Sequence, residues 1–199
     1  MTVKQQWYKS WSLVSLEDLA VSEKGSIRRG PFGGSLKKEI FVDDGYLVYE
    51  QQHAIADDFS LGRYFINEAK YKEMEGFDVL PDDLIISCAG TIGKIAIAPN
   101  NSRPGIINQA LMRIRPDQNK VLPIYLKRYL ESPVAQREIF SKSSGSALKN
   151  LVAISEIKKS KIPLPPLEEQ KRIAAILDKA DRIRRKRQEA IRLTEELGR

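Results

Sequence analysis

The chain has 199 residues, a formal net charge of +7, one His and one Cys, which excludes a disulfide scaffold, a zinc cluster and any multi-histidine metal site. With 42% hydrophobic and 30% charged residues it can build a core and is not a disordered chain, and one domain plus an appendage fits its length. No apolar run approaches the ~20 residues that cross a bilayer, and residues 1–9 lack an apolar stretch followed by small residues, so the expected compartment is the cytoplasm.

Up to about residue 160 the pattern changes every few residues, as in an α+β domain. Residues 46–49, 84–87, 95–98 and 111–114 are predicted strands, bounded by the turn clusters Asp43-Asp44-Gly45, Pro81-Asp82-Asp83 and Pro99-Asn100-Asn101. Residues 123–130 and 133–141 are predicted helices, the second with Ser132 as N-cap and Pro133 at its first position. The prolines of Ile162-Pro163-Leu164-Pro165-Pro166 argue against a regular ladder and hold the chain extended. That marks a boundary between residues 1–161 and 162–199.

Residues 167–197 contain no Gly or Pro, Glu168 and Glu169 lie in the first turn, and Gly198 follows. This predicts one helix of roughly 45 Å. Ile173, Ile176, Ala180, Ile183, Arg187, Ala190, Thr194 and Leu197 repeat at alternating spacings of three and four, as a and d positions of a coiled coil do. A stripe of this kind needs another helix over it, and pairing with another chain is preferred to packing on its own domain. The basic run Arg182, Arg184, Arg185, Lys186 and Arg187 reads as a solvated face.

Charge is unevenly placed. Residues 1–40 carry a net +3, 41–90 a net −8, 91–160 a net +8 and 161–199 a net +4, a distribution expected if one surface meets a polyanion. Catalysis finds little support. His53 and Cys88 stand alone, and Cys88 ends an apolar strand as a small buried side chain would. Gly90-Thr91-Ile92-Gly93-Lys94 fails as a phosphate loop, because Cys88 and Ile95 occupy the places of the required Gly and Ser/Thr. No GxGxxG or Asn/Asp-Pro-Pro-aromatic string is present, so the chain is not itself a methyltransferase. Pro116-Asp117 with Glu156-Ile157-Lys158 has the residue types of a PD...ExK nuclease, in which two carboxylates hold Mg²⁺ and a Lys activates water. Glu68-Ala69-Lys70 shows how easily such strings arise.

Specific DNA reading needs amide and hydroxyl groups at base edges and cations on phosphates. The loops offer both. Ser35, Gln51, Gln52, Thr91, Asn108 and Gln109 are candidates for bases, and Arg28, Arg29, Lys37, Lys38, Lys94, Lys142 and Lys149 for phosphates. Gly30, Gly33, Gly90 and Gly93 are read as backbone-shaping residues.

The segments Gly30-Pro31-Phe32-Gly33-Gly34-Ser35-Leu36-Lys37, residues 83–94, Ile107-Asn108-Gln109-Ala110, and residues 162–170 leading into the long helix together resemble the specificity subunit of type I restriction-modification systems over nearly the whole chain. The resemblance implies a target recognition domain in residues 1–161 and a conserved spacer in residues 162–199. It also implies double-stranded DNA, methyltransferase subunits that use S-adenosylmethionine on adenine, and a translocating restriction subunit as partners, with no catalysis or cofactor in this chain. Members usually carry two recognition domains and two antiparallel spacer helices. Here one of each is present, which fits either a half-length subunit or a piece of a longer protein; in a half-length subunit the open seam gives a reason to form an antiparallel coiled-coil homodimer. A Mg²⁺ nuclease and a coiled-coil adaptor that binds protein are the alternatives.

Overall fold

The computed structural model of the chain describes residues 11–31, 33–140 and 153–197. In chain order these form β1 (Ser12–Ser15), β2 (Ile27–Arg29), β3 (Phe41–Val42), β4 (Tyr46–Tyr49), α1 (Gln51–Ala56), β5 (Phe65–Ile66), α2 (Glu68–Glu73), β6 (Leu84–Ser87), β7 (Ile95–Ile97), β8 (Gly105–Ile107) and β9 (Leu111–Ile114). They continue with α3 (Pro123–Leu130), α4 (Pro133–Ala135), α5 (Ile154–Lys159), β10 (Lys161–Leu164) and α6 (Leu167–Leu197). A central antiparallel sheet runs β2-β9-β6-β7, a second sheet runs β3-β5-β4-β8 with β4 parallel to β8, and β1 pairs with β10. The architecture is the expected α+β domain ending in a long helix.

The central sheet is covered on both faces, which is why β6 and β9 read as near-continuous apolar runs rather than alternating ones. Along β6, Leu84 and Ile86, with Cys88 just beyond, join Leu16, Leu19, Tyr125, Leu126, Leu130, Ile157 and Ile162 in the larger cluster. Ile85 points the other way, into a cluster with Leu47, Tyr49, Ala54 and Ile107. Burial pushes the Cys88 thiol up to about 12, so it stays a neutral packing group, its S–H donating to the Ile86 carbonyl at 3.3 Å.

The proline segment does make a ladder. Leu16 donates to the Ser160 carbonyl at 2.9 Å, and the register Ser12↔Leu164, Leu13↔Pro163, Val14↔Ile162 therefore puts Pro163 at a non-hydrogen-bonded pair. Its missing N–H is not needed there, as an edge position allows. Its carbonyl accepts from the Tyr125 hydroxyl at 2.6 Å, which ties the ribbon to α3. The 161/162 boundary thus falls inside β10, and Ile162 belongs to the core of the globular part.

Helix α3 occupies the predicted residues. The next predicted helix is broken: Ser132 caps Ala135 N–H at 3.2 Å, but after Ala135 the chain widens into a π turn over Gln136–Phe140. Ser141 lies outside the described residues. Glu68-Ala69-Lys70 opens α2, with Asn67 accepting from Lys70 N–H at 2.9 Å and Lys72 pairing with Glu68 at 2.7 Å, which accounts for that string without chemistry.

Helix α6 has two parts. Near its start Gln170 and Ala174 are buried and Ile173 packs against the larger cluster. Beyond Asp181 every position to 196 is exposed. Ile176 and Ile183 are 55% and 51% exposed, and Ala180, Arg187, Ala190 and Thr194 are likewise exposed. The described residues provide no cover for that stretch of the seam, and the Leu197 side chain lies outside them.

Two buried ion pairs hold β9 to its surroundings. Arg113, on the face shared with Ile85, donates to the Asp78 carboxylate and carbonyl and to the Gly25 carbonyl at 2.7 Å. Arg115 grips the fully buried Asp83 through two bonds of 2.9 Å and reaches Asp78 at 3.0 Å. Removing one member strands its partner in the interior. Asp83→Ala is expected to cost about 3 kcal/mol in denaturant unfolding, whereas Glu73→Ala, which breaks only an exposed pair with Lys70, changes stability by less than ~0.5 kcal/mol.

Candidate nucleic-acid interface

Strand directions decide which loops meet. Strands β4 and β8 are parallel and end together at Tyr49 and Ile107. Strand β9 starts at that same end, because Asn108–Ala110 is a short turn in which the Asn108 amide oxygen accepts Ala110 N–H at 2.9 Å. Strand β6, antiparallel to β9, finishes there with Ser87 opposite Leu111, and β2 finishes there with Arg29 opposite Met112. One end of the two sheets therefore gathers the start of α1, the Asn108–Gln109 turn, the β6–β7 hairpin loop and the Gly30 exit from β2.

The hairpin loop carries Thr91 and Lys94, both exposed. Its shape is fixed by Ser87, whose hydroxyl donates to the Thr91 carbonyl at 2.5 Å and accepts Lys94 N–H at 3.0 Å. Gly90 and Gly93 have φ of +61° and +79°, a conformation glycine adopts without strain. The surrounding strand–turn–strand context is not the strand–loop–helix of a phosphate loop. At Gly30 a Cβ would lie 1.9 Å from the Asn108 carbonyl oxygen, so β2 meets the Asn108–Gln109 turn only because that residue has no side chain.

Gln51 and Gln52, expected on a polar segment leaving a strand, instead form the first turn of α1. Glu50 N–H donates to His53 Nδ1 at 2.9 Å, and His53 Nε2 lies 2.8 Å from the Leu61 carbonyl. The network assigns the Nε2–H tautomer and makes His53 a satisfied core residue. Gln52 Nε2 reaches Glu50 at 3.2 Å, and Gln51 Oε1 is buried without a partner.

The cations divide. Arg28 is committed inside the domain, donating to the Gly76 carbonyl at 2.7 Å with its plane 4.5 Å from the Phe77 ring centroid. Arg29 Nε donates to the Gln109 carbonyl at 3.2 Å, bracing the turn. Ser35 sits in the helical turn Gly33–Leu36 that leaves this end, and Lys37 and Lys38 follow it exposed. Lys142 and Lys149 lie outside the described residues.

Several acidic groups lie elsewhere. Asp43 and Asp44 precede β4, Glu68 and Glu73 lie on α2 beyond β5, and Asp82 precedes β6. By the same strand directions Asp43, Asp44, Glu68 and Asp82 sit at the opposite end. Arg103 there pairs with Asp44, whose carboxyl its hydrogen bond holds below the usual range. These carboxylates are thereby separated from the amide-rich loops, among which Glu50, the N-cap of α1, remains as an acidic group.

The nuclease constellation does not assemble. Asp117 Oδ1 accepts from the backbone and side-chain N–H of Asn119, each at 3.1 Å, and Oδ2 lies 3.2 Å from Lys120, so it stabilises a local turn. Among the described residues no three His, Cys, Asp or Glu side chains converge as metal ligands would, and no helix is long and apolar enough to cross a membrane. Sequence reasoning missed three positioning residues. Gln170 is fully buried; its Oε1 accepts Leu122 N–H at 2.8 Å and its Nε2 donates to the Lys120 and Pro165 carbonyls at 3.0 and 2.9 Å. Gln136 Nε2 donates to the Gly93 and Leu130 carbonyls at 3.0 and 2.7 Å, and Arg128 joins α3 to α6. Only Gln170 had a sequence signal, its place directly after Pro165-Pro166-Leu167-Glu168-Glu169.

Known proteins give a consistent picture. A relative from Methanocaldococcus jannaschii, named as a type I restriction enzyme specificity subunit (MjaX), is 32% identical over 123 residues, 60% of this chain and 29% of its own length. The type I restriction enzyme EcoBI specificity subunit of Escherichia coli is 33% identical over 95 residues, 48% of this chain and 20% of its own. Among solved structures, the HsdS subunit of Thermoanaerobacter tengcongensis superposes with a TM-score of 0.60 at 21% identity, over 87% of this chain and 38% of that one. The S subunit of a type I system from M. genitalium gives 0.56 at 17%, over 87% and 39%. At those identities the structures establish the fold alone, and the chain spans less than two fifths of each of these proteins. The family model described as the type I restriction modification DNA specificity domain matches residues 9–193, and the chain belongs to that family.

Proposed function

We propose that this chain is the DNA-addressing component of a type I restriction-modification complex in the cytoplasm, itself non-catalytic and without a cofactor. Residues 1–161 read one half-site, and residues 162–199 act as spacer and dimerisation element. What carries the reading is the convergence of the Gln51–Gln52, Thr91, Asn108–Gln109 and Ser35 segments at the end of the sheets away from the acidic turns. Amide and hydroxyl groups there reach base edges, while Lys37, Lys38, Lys94 and, outside the described residues, Lys142 and Lys149 neutralise phosphates. Arg28 and Arg29 support that surface from beneath. A methyltransferase subunit supplies S-adenosylmethionine and the adenine chemistry, and a restriction subunit supplies cleavage. Two copies pair their exposed α6 seams as an antiparallel coiled coil and address inverted half-sites around a fixed gap.

The experiment is a methylome of a host lacking adenine methylation, expressing this chain with a type I methyltransferase subunit encoded beside it. An interrupted palindrome is expected. No new methylation with both proteins soluble overturns the addressing role, and a protein-binding adaptor then becomes the reading to test.

Two further outcomes are expected. In salt-dependent binding to the modified sequence, Gln109→Ala costs ~1 to 3 kcal/mol and relaxes one position, whereas Lys94→Ala weakens all sequences alike and lowers the salt slope by about one. A changed sequence preference in Lys94→Ala removes it from the phosphate set. Light scattering of the Ile176→Glu, Ile183→Glu double variant should give the monomer mass, and a dimer would rule out the seam as the contact.

A further inference from the structure

Beyond Asp181 helix α6 leaves the domain as a bare arm, and besides the packing of Ile173 and Ala174 on the core two polar contacts fix its direction. At its first turn, Gln170 satisfies three backbone groups at the start of α3 and the end of the proline segment. Two turns on, Arg128 of α3 meets both Asp178 and Asp181. Its Nε lies 2.9 Å and its Nη1 2.6 Å from those carboxylates, with Nη2 also on Asp178 and Glu131 at 3.4 Å. The Arg128 side chain is 18% exposed. A planar guanidinium bridging carboxylates one turn apart holds a helix more tightly than a point charge would. Two contacts about 12 Å apart along a rigid rod set its direction.

The frame to which the arm is fixed is the reading edge itself. Gln136 Nε2 joins the Leu130 carbonyl at the end of α3 to the Gly93 carbonyl of the hairpin loop. Through α3, the loop bearing Thr91 and Lys94 is therefore coupled to the helix that holds the arm.

We propose that Arg128, with Asp178 and Asp181, is the positioning residue that sets the angle of α6 to the reading edge and so the gap between half-sites; this rests on the addressing role proposed above. From Asp181 to Leu197 the arm is roughly 24 Å long. A swing of about 10° moves its tip by roughly 4 Å, on the order of the ~3.4 Å rise of one base pair. A loosened clamp is thus felt as tolerance of gaps one base pair longer or shorter, while the half-site sequence, read by other residues, is unchanged.

The test compares the methylomes of wild type, Arg128→Met and the Asp178→Asn, Asp181→Asn double variant, with the methyltransferase subunit present. Both variants are expected to keep the half-site sequences and to lose about tenfold in discrimination against sites one base pair off in spacing, the size expected from losing one charge-assisted contact. A second measurement reads the angle directly. Spin labels at Asn101→Cys and Glu195→Cys, in chains diluted into unlabelled protein, give a distance distribution that should broaden in both variants; buried Cys88 takes no label. Unchanged spacing discrimination, or an unchanged distance distribution, overturns the clamp. Absence of methylation by wild type overturns the addressing role instead and leaves the distance measurement to decide the clamp.

Discussion

Both faces of the central sheet must be covered, and this constraint shapes the molecule. Leu84, Ile85 and Ile86 are each fully buried although they point to alternate sides, so helices occupy one face and a second sheet with α1 the other. A sheet covered on both faces leaves its ends and edge strands for contact. One end carries the acidic turns and the Arg103–Asp44 pair, and the other carries amides, hydroxyls and glycines. Nothing in the loops themselves needs to specify that separation. It follows from strand direction once β4 and β8 run parallel and β2, β6 and β9 alternate.

The interior charges stand in the same relation to the fold. Arg113 and Arg115 lie toward the end of β9 away from the amide-rich loops, where Asp78 and Asp83 meet them. Burial works against Arg115, but the hydrogen bonds and charge of Asp83, with Asp78, raise its pKa. Two arginines at the end of one short strand are tolerable because two carboxylates converge on them, Asp83 directly before β6 and Asp78 a few residues earlier. Ionic groups that look like surface residues in the sequence thus brace the far end of the sheet and leave the near end to backbone-held loops. The loops in turn owe their shape to small side chains, with Ser87 closing the hairpin and Gly30 admitting the Asn108 carbonyl.

Much of this was legible. Residues 46–49, 84–87, 95–97 and 111–114 are apolar runs between turn clusters and became strands, and Pro123 marked α3. The missed strands are short, polar or proline-bearing. Ser12–Ser15 and Lys161–Leu164 exist because each supplies the other's ladder, and Pro163 fits only by the parity of the register, which no local pattern records. Gln51 and Gln52 were read as a polar exit and belong to a helix because His53 can cap Glu50 from inside the core. Arg28 and Arg29 were read as loop cations and are strand residues bound within the domain. The candidate site was visible as residue types, and its assembly was not, since it depends on pairings between segments up to 80 residues apart, Arg29 with Gln109 among them.

The long helix shows why period alone was an incomplete guide. Its seam begins on the domain's own core at Ile173 and is exposed from Ile176 onward, so the one stripe is covered at its start and uncovered along the rest of the described helix. The change coincides with a change of charge: Asp178 and Asp181 face Arg128, and past that point the basic run from Arg182 to Arg187 is exposed. A helix anchored along about half of its length and bare along the rest transmits orientation without flexing, because its backbone hydrogen bonds are internal. Any rotation of the arm must therefore occur where its first turns join the domain, through the packing of Ile173 and Ala174 and the polar contacts of Gln170, Asp178 and Asp181 together.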